Sequence, residues 1–394
     1  MNNWPPRCRL AVLVLSLVLL VPCPAAELGE SATFARSVVS GGDTARLQQV
    51  LAKARRGEAI TVGVIGGSIT AGAMASQPEK CYGQLVAAWW RKTFPQAKIQ
   101  FVNAGIGATG SDFGALRVHR DLLARSPDFV IVEFAVNDPN KKRCAETLEG
   151  LLRQILSQPN CPAVVLLFTM NDSGGNAEEW HGKVGQHYSL PMISFRDALW
   201  PEIQAGRLKW SDVEADQVHP NDRGHDYAAR FVTSFSEKVL KESPIGEPRP
   251  RIKRLPEPLI SDLYEHVTLL EAAALTPVSN QGWRFDEKDK TCWQTDRPGS
   301  VIEFEVSGQA ICIMDWRFRG SQGKAKVLVD DFPPVERDGW FEGTWGGYRN
   351  TCELARDLKP GKHRVRIELL AERNPQSTGH EFKVLGLGAA GVAK

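Results

Sequence analysis

The chain has almost no net charge. Its 48 lysines and arginines nearly cancel 46 acids, leaving +2 over 394 residues. That balance gives no electrostatic footprint for nucleic acid or another polyanion. There is no Cys-x-x-Cys pair, which argues against a zinc ribbon or a dithiol redox motif. His119, His181 and His187 lack paired metal-ligand spacing, so they read as non-ligands, and no metal or cofactor is expected. Long hydrophobic runs are missing too. The longest, Leu10 to Val21, is too short for an ordinary membrane span of about 20 residues. Neither an internal repeat nor a low-complexity tract is present.

What is present begins at the N-terminus. Arg7 and Arg9 precede the apolar run, and Pro22-Cys23-Pro24-Ala25-Ala26 follows it. A charged start, an apolar stretch and small exit residues read as a secretory signal peptide over residues 1–26, cut after Ala25 or Ala26. The expected destination is secreted or periplasmic. A lipoprotein anchored at Cys23 is disfavoured by Pro22. The mature chain would keep Cys81, Cys144, Cys161, Cys292, Cys312 and Cys352. In an oxidising compartment some of these should pair, within each half or across the halves.

From Asp43 onward, helix-like and strand-like segments alternate. Leu47, Val50, Leu51 and Ala54 recur at helical spacing. Ile60–Ile65, Lys98–Asn103, Asp128–Phe134, Ala163–Thr169 and Met192–Phe195 read as strands. Tyr82–Phe94, Ala115–Ala124, Ala145–Leu156 and Asn221–Lys241 read as helices. Apolar strands between amphipathic helices imply an α/β unit with a parallel sheet covered on both faces. Glu242–Leu259 holds five prolines and reads as a linker. Beyond it the pattern changes to short strands with turn signals, at Val301–Val306, Ala310–Trp316, Lys324–Val329, His363–Leu370 and Glu381–Leu387. That pattern predicts a β-sandwich. The expected organisation is a catalytic unit over 27–242, a linker over 243–258 and a sandwich over 259–394, each unit with its own core.

The chemistry sits at the strand ends. Val62-Gly63-Val64-Ile65-Gly66-Gly67-Ser68-Ile69-Thr70 is a β-branched run that breaks into two glycines and a serine. This is the form of a turn that exposes a hydroxyl, though Gly-Gly-Ser is also an ordinary loop. A serine needs a base. His219 is the candidate, and Asp216, three residues earlier, is placed to orient its ring. Asn103 through Gly110 is a glycine-rich loop after a strand, and Val136-Asn137-Asp138 follows another. Developing negative charge on an acyl oxygen needs fixed donors. The candidates are the backbone N–H of Ser68, an N–H at Gly107 or Ala108, and the side-chain amide of Asn137.

Taken together, these four blocks resemble the SGNH (GDSL-type) hydrolases. Gly66-Gly67-Ser68-Ile69-Thr70 is similar to the first block, in a Gly-Gly-Ser form. Asn103 to Gly110 is similar to the second, Ala135-Val136-Asn137-Asp138 to the third, and Asp216 to His219 to the last. The resemblance implies a three-layer, flavodoxin-like fold and ester hydrolysis through an acyl-enzyme, without cofactor. The departures are Gly67 where the family carries Asp, Ala108 where its oxyanion glycine falls, with Gly107 just before it, and Ala135 where the third block starts with Gly. The accessory sandwich looks like that of secreted carbohydrate O-acetyl esterases, which joins a jelly-roll-like domain to such a core. Leu358-Lys359-Pro360-Gly361-Lys362-His363-Arg364-Val365 is similar to a loop-to-strand stretch of those domains. The expected partner is an acylated, chiefly acetylated, carbohydrate. Trp180 and Trp210, in loops before His219, are candidates for lining the cleft. Trp283, Trp293, Trp316, Trp340 and Trp345 are core residues or sugar platforms. The alternatives are a lipase, lysophospholipase or thioesterase on the same fold, which needs an extended apolar groove, and a non-catalytic carbohydrate-binding protein, in which Ser68 and His219 lie apart.

Overall fold

A computed structural model of the protein describes Met1 and residues 30–243 and 254–392. The leader assigned to residues 1–26, and 244–253 of the proline-rich stretch, lie outside the described residues. No helix among the described residues is long and apolar enough to cross a membrane.

The first unit opens with α1 (Glu30–Ser37) and a short strand, β1 (Val38–Ser40). Then α2 (Ala45–Arg55), β2 (Ile60–Gly66), α3 (Ser68–Ala71), α4 (Tyr82–Thr93), β3 (Ile99–Gly105), α5 (Ser111–Asp121) and β4 (Phe129–Glu133) follow. The unit closes with α6 (Lys142–Leu156), β5 (Ala163–Phe168), α7 (Glu178–His187), β6 (Met192–Ser194), α8 (Phe195–Gln204), α9 (Trp210–Val213) and α10 (Asp222–Glu242). The strands lie in the order β1-β6-β5-β4-β2-β3. All pairings are parallel except β1 against β6. β4 and β5 are buried along their whole length, as a sheet covered on both faces requires. Leu51, Trp90 and Phe231 cover one face. Val118, Leu148, Leu152 and Val184 cover the other. The helical spacing seen around Leu47 supplies the first layer, with all four of its apolar residues buried.

The order reverses at β2. The chain leaves it to pair β3 on one side and returns to β4 on the other. A crevice opens at the carboxyl ends of strands at such a point, and ligands bind there. Ser68 follows β2, Gly107 and Ala108 follow β3, and Asn137 follows β4, so one crevice collects them.

The second unit is antiparallel. Its strands are β7 (Val267–Glu271), β8 (Ser279–Gln281), β9 (Arg284–Phe285), β10 (Trp293–Thr295), β11 (Val301–Ser307) and β12 (Ala310–Arg317), then β13 (Lys324–Val329), β14 (Val335–Asp338), β15 (Tyr348–Ala355), β16 (Lys362–Leu369) and β17 (Phe382–Ala390). One sheet runs β15-β12-β17-β10-β9, with β7 also paired to β17, and the other runs β14-β13-β16-β11-β8. Ile302, Phe304 and Val306 alternate inward on β11, as Val365, Ile367 and Leu369 do on β16. Period-2 alternation of this kind lets two sheets share a core.

The two units share apolar surface. Phe113 and Leu116 of α5 pack with Cys312, Met314 and Leu385 of the sandwich. Ala310 and Ala390 join the cluster under α6. The fit leaves no room for side chains: a β-carbon on Gly388 would stand 2.5 Å from Leu116 Cδ1, and one on Gly150 2.3 Å from Tyr264 Cβ. Arg143 pairs with Glu353, and Arg356 with Glu146 at 3.0 Å. Residues after the proline-rich stretch lie against α6, where Glu149 accepts the backbone N–H groups of Leu259, Ile260 and Ser261. The separate cores expected from composition therefore meet along α5 and α6.

The expected disulfides are a correction. All six described cysteines are free. Register explains the pair on adjacent strands. Cys312 lies opposite Glu353 and Cys352 opposite Ile313, so the two thiols project from opposite faces of one sheet.

Candidate active site

The Ser68 turn is built by close approach. Gly66 ends β2, and its carbonyl accepts the N–H of Ile106 at 3.1 Å and a guanidinium N–H of Arg117 at 3.1 Å. A β-carbon on Gly67 would stand 2.0 Å from Asn137 Oδ1. This explains the departure at Gly67: its α-carbon backs directly onto Asn137. Ser68 is the first residue of α3. N–H groups in the first turn of a helix have no intrahelical acceptor, so Ser68 presents both its hydroxyl and its amide. The helix stops after one turn at Gly72, whose φ is 99°.

His219 arrives from the loop between α9 and α10. Its Nε2 lies 2.8 Å from Ser68 Oγ, and its Nδ1 lies 2.8 Å from Asp216 Oδ2. The other oxygen of Asp216 accepts the backbone N–H groups of Val218 and His219, each at 2.8 Å. Burial pushes the Asp216 carboxyl up, but the bonds from His219 and the two amides outweigh it and hold it below the usual carboxylate value. An ionised Asp216 accepts a hydrogen bond from Nδ1–H, which leaves the Nε2 lone pair facing the serine O–H. This is the arrangement that the Asp-x-x-His spacing implied.

Trp210 braces this loop. Its indole N–H donates to the carbonyl of Asp216 at 2.7 Å. Trp180 lies elsewhere, in a groove with Lys142, Gln186 and Ile260, and the Lys183 ammonium sits 4.1 Å from its ring centre. No triad residue lines that groove. His225 is structural: its Nδ1 accepts the Tyr82 N–H, and its Nε2 donates to the carbonyl of Ala73.

Three donors border Ser68. Asn137 turns its amide oxygen, which is buried without a hydrogen-bond partner, toward Gly67. Asp138, next in sequence, is buried. It accepts the N–H of Ser111 at 2.9 Å and meets His181 Nε2 at 3.1 Å, so it anchors this turn. Gly107 faces the nucleophile: a β-carbon there would meet only Ser68 Cβ, at 3.9 Å. Ala108 adopts φ 55°, a left-handed conformation that costs a non-glycine residue about 1 kcal/mol or more. No main-chain bond among the described residues uses the N–H of Gly107 or Ala108.

Beside these donors lies a cavity of about 270 Å³, lined by Ala108, Asn137, Asp138, Arg143, Tyr264 and Asn350. Asn350 belongs to β15 of the second unit, opposite Asp315 in register. Asp315 is fully buried and is held by Arg337 at 2.9 Å. Beyond the tryptophans offered as sugar platforms, the sequence points to no site residue in the second half, because strand alternation carries no sign of which sheet end meets the crevice. Among the described residues no cluster of three His, Cys, Asp or Glu side chains is placed to hold a metal ion.

Residues 64–227 match the model of the GDSL-like lipase/acylhydrolase family. Two crystal structures of a two-domain esterase active on acetylated mannans, one of them grown with mannopentaose, are similar to the whole chain. Both are 32% identical at a TM-score of 0.84. The first covers 92% of this chain and 98% of that esterase, and the second covers 91% and 99%. No curated protein matches.

Proposed function

The chain belongs to the GDSL-like lipase/acylhydrolase family and is an esterase, and on that premise we propose that it is exported and deacetylates an acetylated polysaccharide of the mannan type. The observation that carries this reading is similarity over both units at once to an esterase active on acetylated mannans. An export leader over residues 1–26 fits a polymer that cannot enter a cell.

In the proposed reaction His219 Nε2 takes the proton of Ser68 as Oγ attacks the acetyl carbonyl. Asp216 stabilises the imidazolium that results. The carbonyl oxygen becomes negative between the Ser68 N–H, an N–H of Gly107 or Ala108, and Asn137 Nδ2. His219 returns its proton to the departing sugar hydroxyl, and an acetyl group remains on Ser68. Water then attacks through the same base, and acetate leaves.

The cavity beside Asn137, which Ser68 and His219 do not line, has Asp138, Arg143 and Asn350 in its wall. Such a lining suits a short acyl group and a polar leaving group better than a long alkyl chain. On the second unit, Phe341, Trp345 and Tyr348 stack edge and face, with ring centres 4.9–5.3 Å apart. Trp345 is 62% exposed, whereas Trp283 and Trp340 are core. An exposed indole beside other rings is a platform for a sugar face.

Acetate release from acetylated mannan, acetylated xylan and tributyrin tests the reading. The expected order places acetylated mannan first. A clear preference for tributyrin or longer acyl glycerides overturns it in favour of a lipase.

A further inference from the structure

Glu133 closes β4 and is fully buried. A carboxyl group out of water is costly unless its oxygens are bonded. Its partners come from three elements, and none is a cation. Thr169, after β5, donates its hydroxyl to Oε1 at 2.7 Å. The main-chain N–H of Ala135 reaches the same oxygen at 3.2 Å. Thr70 Oγ1 stands 3.4 Å from Oε2 and 2.8 Å from the hydroxyl of Tyr82. Arg117, the buried cation nearby, is turned to the carbonyls of Gly66 and Ala104 and to Asp121.

Two of these partners belong to the reacting turns. Thr70 is in α3, the one-turn helix that Ser68 begins. Ala135 stands two residues before Asn137. One carboxyl group thus lies behind both the nucleophile and the side-chain oxyanion donor. There is no slack in the packing: a β-carbon on Gly66 would stand 2.1 Å from Thr70 Oγ1 and 2.3 Å from the carbonyl oxygen of Glu133.

We propose that Glu133 is a positioning residue of the esterase, tying the Ser68 turn, through Thr70, to the Asn137 turn, through Ala135. The inference rests on reading Ser68 as nucleophile and Asn137 as oxyanion donor. Glu133 is an uncharged acid below about 7. Its Oε2 accepts from Thr70 Oγ1 at 3.4 Å, and Oε1 accepts from Thr169 and Ala135. Burial raises the carboxyl to about 7 against the pull of the Thr169, Ala135 and Thr70 bonds, and the charge of Asp138 adds to the rise. The other ionisable groups around it fit this state. Tyr82 on α4 is pushed further toward its protonated form by burial. Asp138 is paired with His181 of α7, and Arg117 of α5 is engaged as described. Ionisation of Glu133 adds a buried charge that none of its partners offsets with a cation.

The test compares wild type, E133Q and E133A on p-nitrophenyl acetate across pH, with melting curves. Glutamine keeps the acceptor at Oε1 and fills the same space without an ionisable proton. Misplacing reacting groups by about 1 Å costs about 10²-fold. Folded E133A is therefore expected to lose about 10²-fold in kcat with KM within about threefold, and E133Q to restore most of that loss. Wild type should lose kcat as pH rises through about 7, and E133Q should not. Should E133A fail to fold, the two pH profiles decide. A folded E133A with kcat within about threefold of wild type overturns the proposal. So does an E133Q that falls as far as E133A, or one that keeps the wild-type alkaline limb. Full activity in S68A is a different failure, that of the nucleophile assignment.

Discussion

The β-carbon that Gly67 lacks would stand 2.0 Å from the amide oxygen of Asn137. The two residues come from different strands, β2 and β4, and the absent side chain is what lets their turns close on each other. A substitution at position 67 must move the Asn137 amide, since real β-carbons do not approach an oxygen so closely. Gly67→Ala is expected to lower kcat on p-nitrophenyl acetate by about 10–10²-fold, with KM within about threefold. Steady-state kinetics on the folded variant checks this. Unchanged kcat would mean that the Asn137 amide does not act on the transition state.

The contact between Ser68 and His219 at 2.8 Å leads to a sharper expectation. Ser68→Ala and His219→Ala should each lower kcat by at least about 10³-fold while leaving the melt intact, because each removes a reacting group. Asp216→Asn should be milder. The Asp216 carboxylate orients the ring and holds two backbone amides, and an asparagine oxygen can keep part of that. Rates within tenfold of wild type in either alanine variant would sink the triad.

Much of this site was legible because its parts are local. The glycines around Ser68, the Asp-x-x-His run and the Asn137 turn each lie within a few residues of a strand end, and the chain order places those ends at one reversal of the sheet. Glu133 and Arg117 were not legible. Within a buried strand and a helix, a lone charged residue looks like any solvated one, and only the fold shows that Arg117 is fully buried under two strand ends. Asn350 was hidden for another reason. Which end of a sandwich meets a crevice depends on docking, set here by small residues such as Gly150 and Gly388. Trp180 misled because a tryptophan before a catalytic histidine in sequence need not share its side of a helix.

Glu214 gives a prediction about pH. It is buried, and neither carboxyl oxygen has a hydrogen-bond partner. Burial, and then the charge of Asp216, raise it from 4.5 to about 9. Between those values the folded chain holds a proton that the unfolded chain has released. The stability carried by the protonated form is complete below about 4.5 and is lost as pH rises through about 9. Glu214→Gln cannot ionise. Its melting temperature should match wild type near pH 4.5 and exceed it by a few degrees, roughly 2–4 °C, near pH 8. Parallel curves for the two proteins across that range would show that Glu214 is charged or solvated in the fold.

The last expectation concerns the second unit. Every triad residue precedes residue 243, so the chemistry alone does not need the sandwich. The packing does. A chain ending at Ser243 would uncover Phe113 and Leu116, which now lie among Cys312, Met314 and Leu385, and would leave Glu146 without Arg356. Exposed apolar patches of this kind drive association. The truncated chain is expected to aggregate, or to melt well below the full chain, and so to lose even p-nitrophenyl acetate hydrolysis. A point substitution separates this effect from recognition. Asn350→Ala leaves the α5 and α6 contacts in place but removes an amide from the cavity wall beside Asn137. Its KM for acetylated mannan should rise by about tenfold, the loss of one or two hydrogen bonds to a sugar hydroxyl, with p-nitrophenyl acetate hydrolysis within about twofold of wild type. A soluble truncated chain with full activity on both substrates would overturn both expectations. It would leave the sandwich without a part in the stability or the specificity of the catalytic unit.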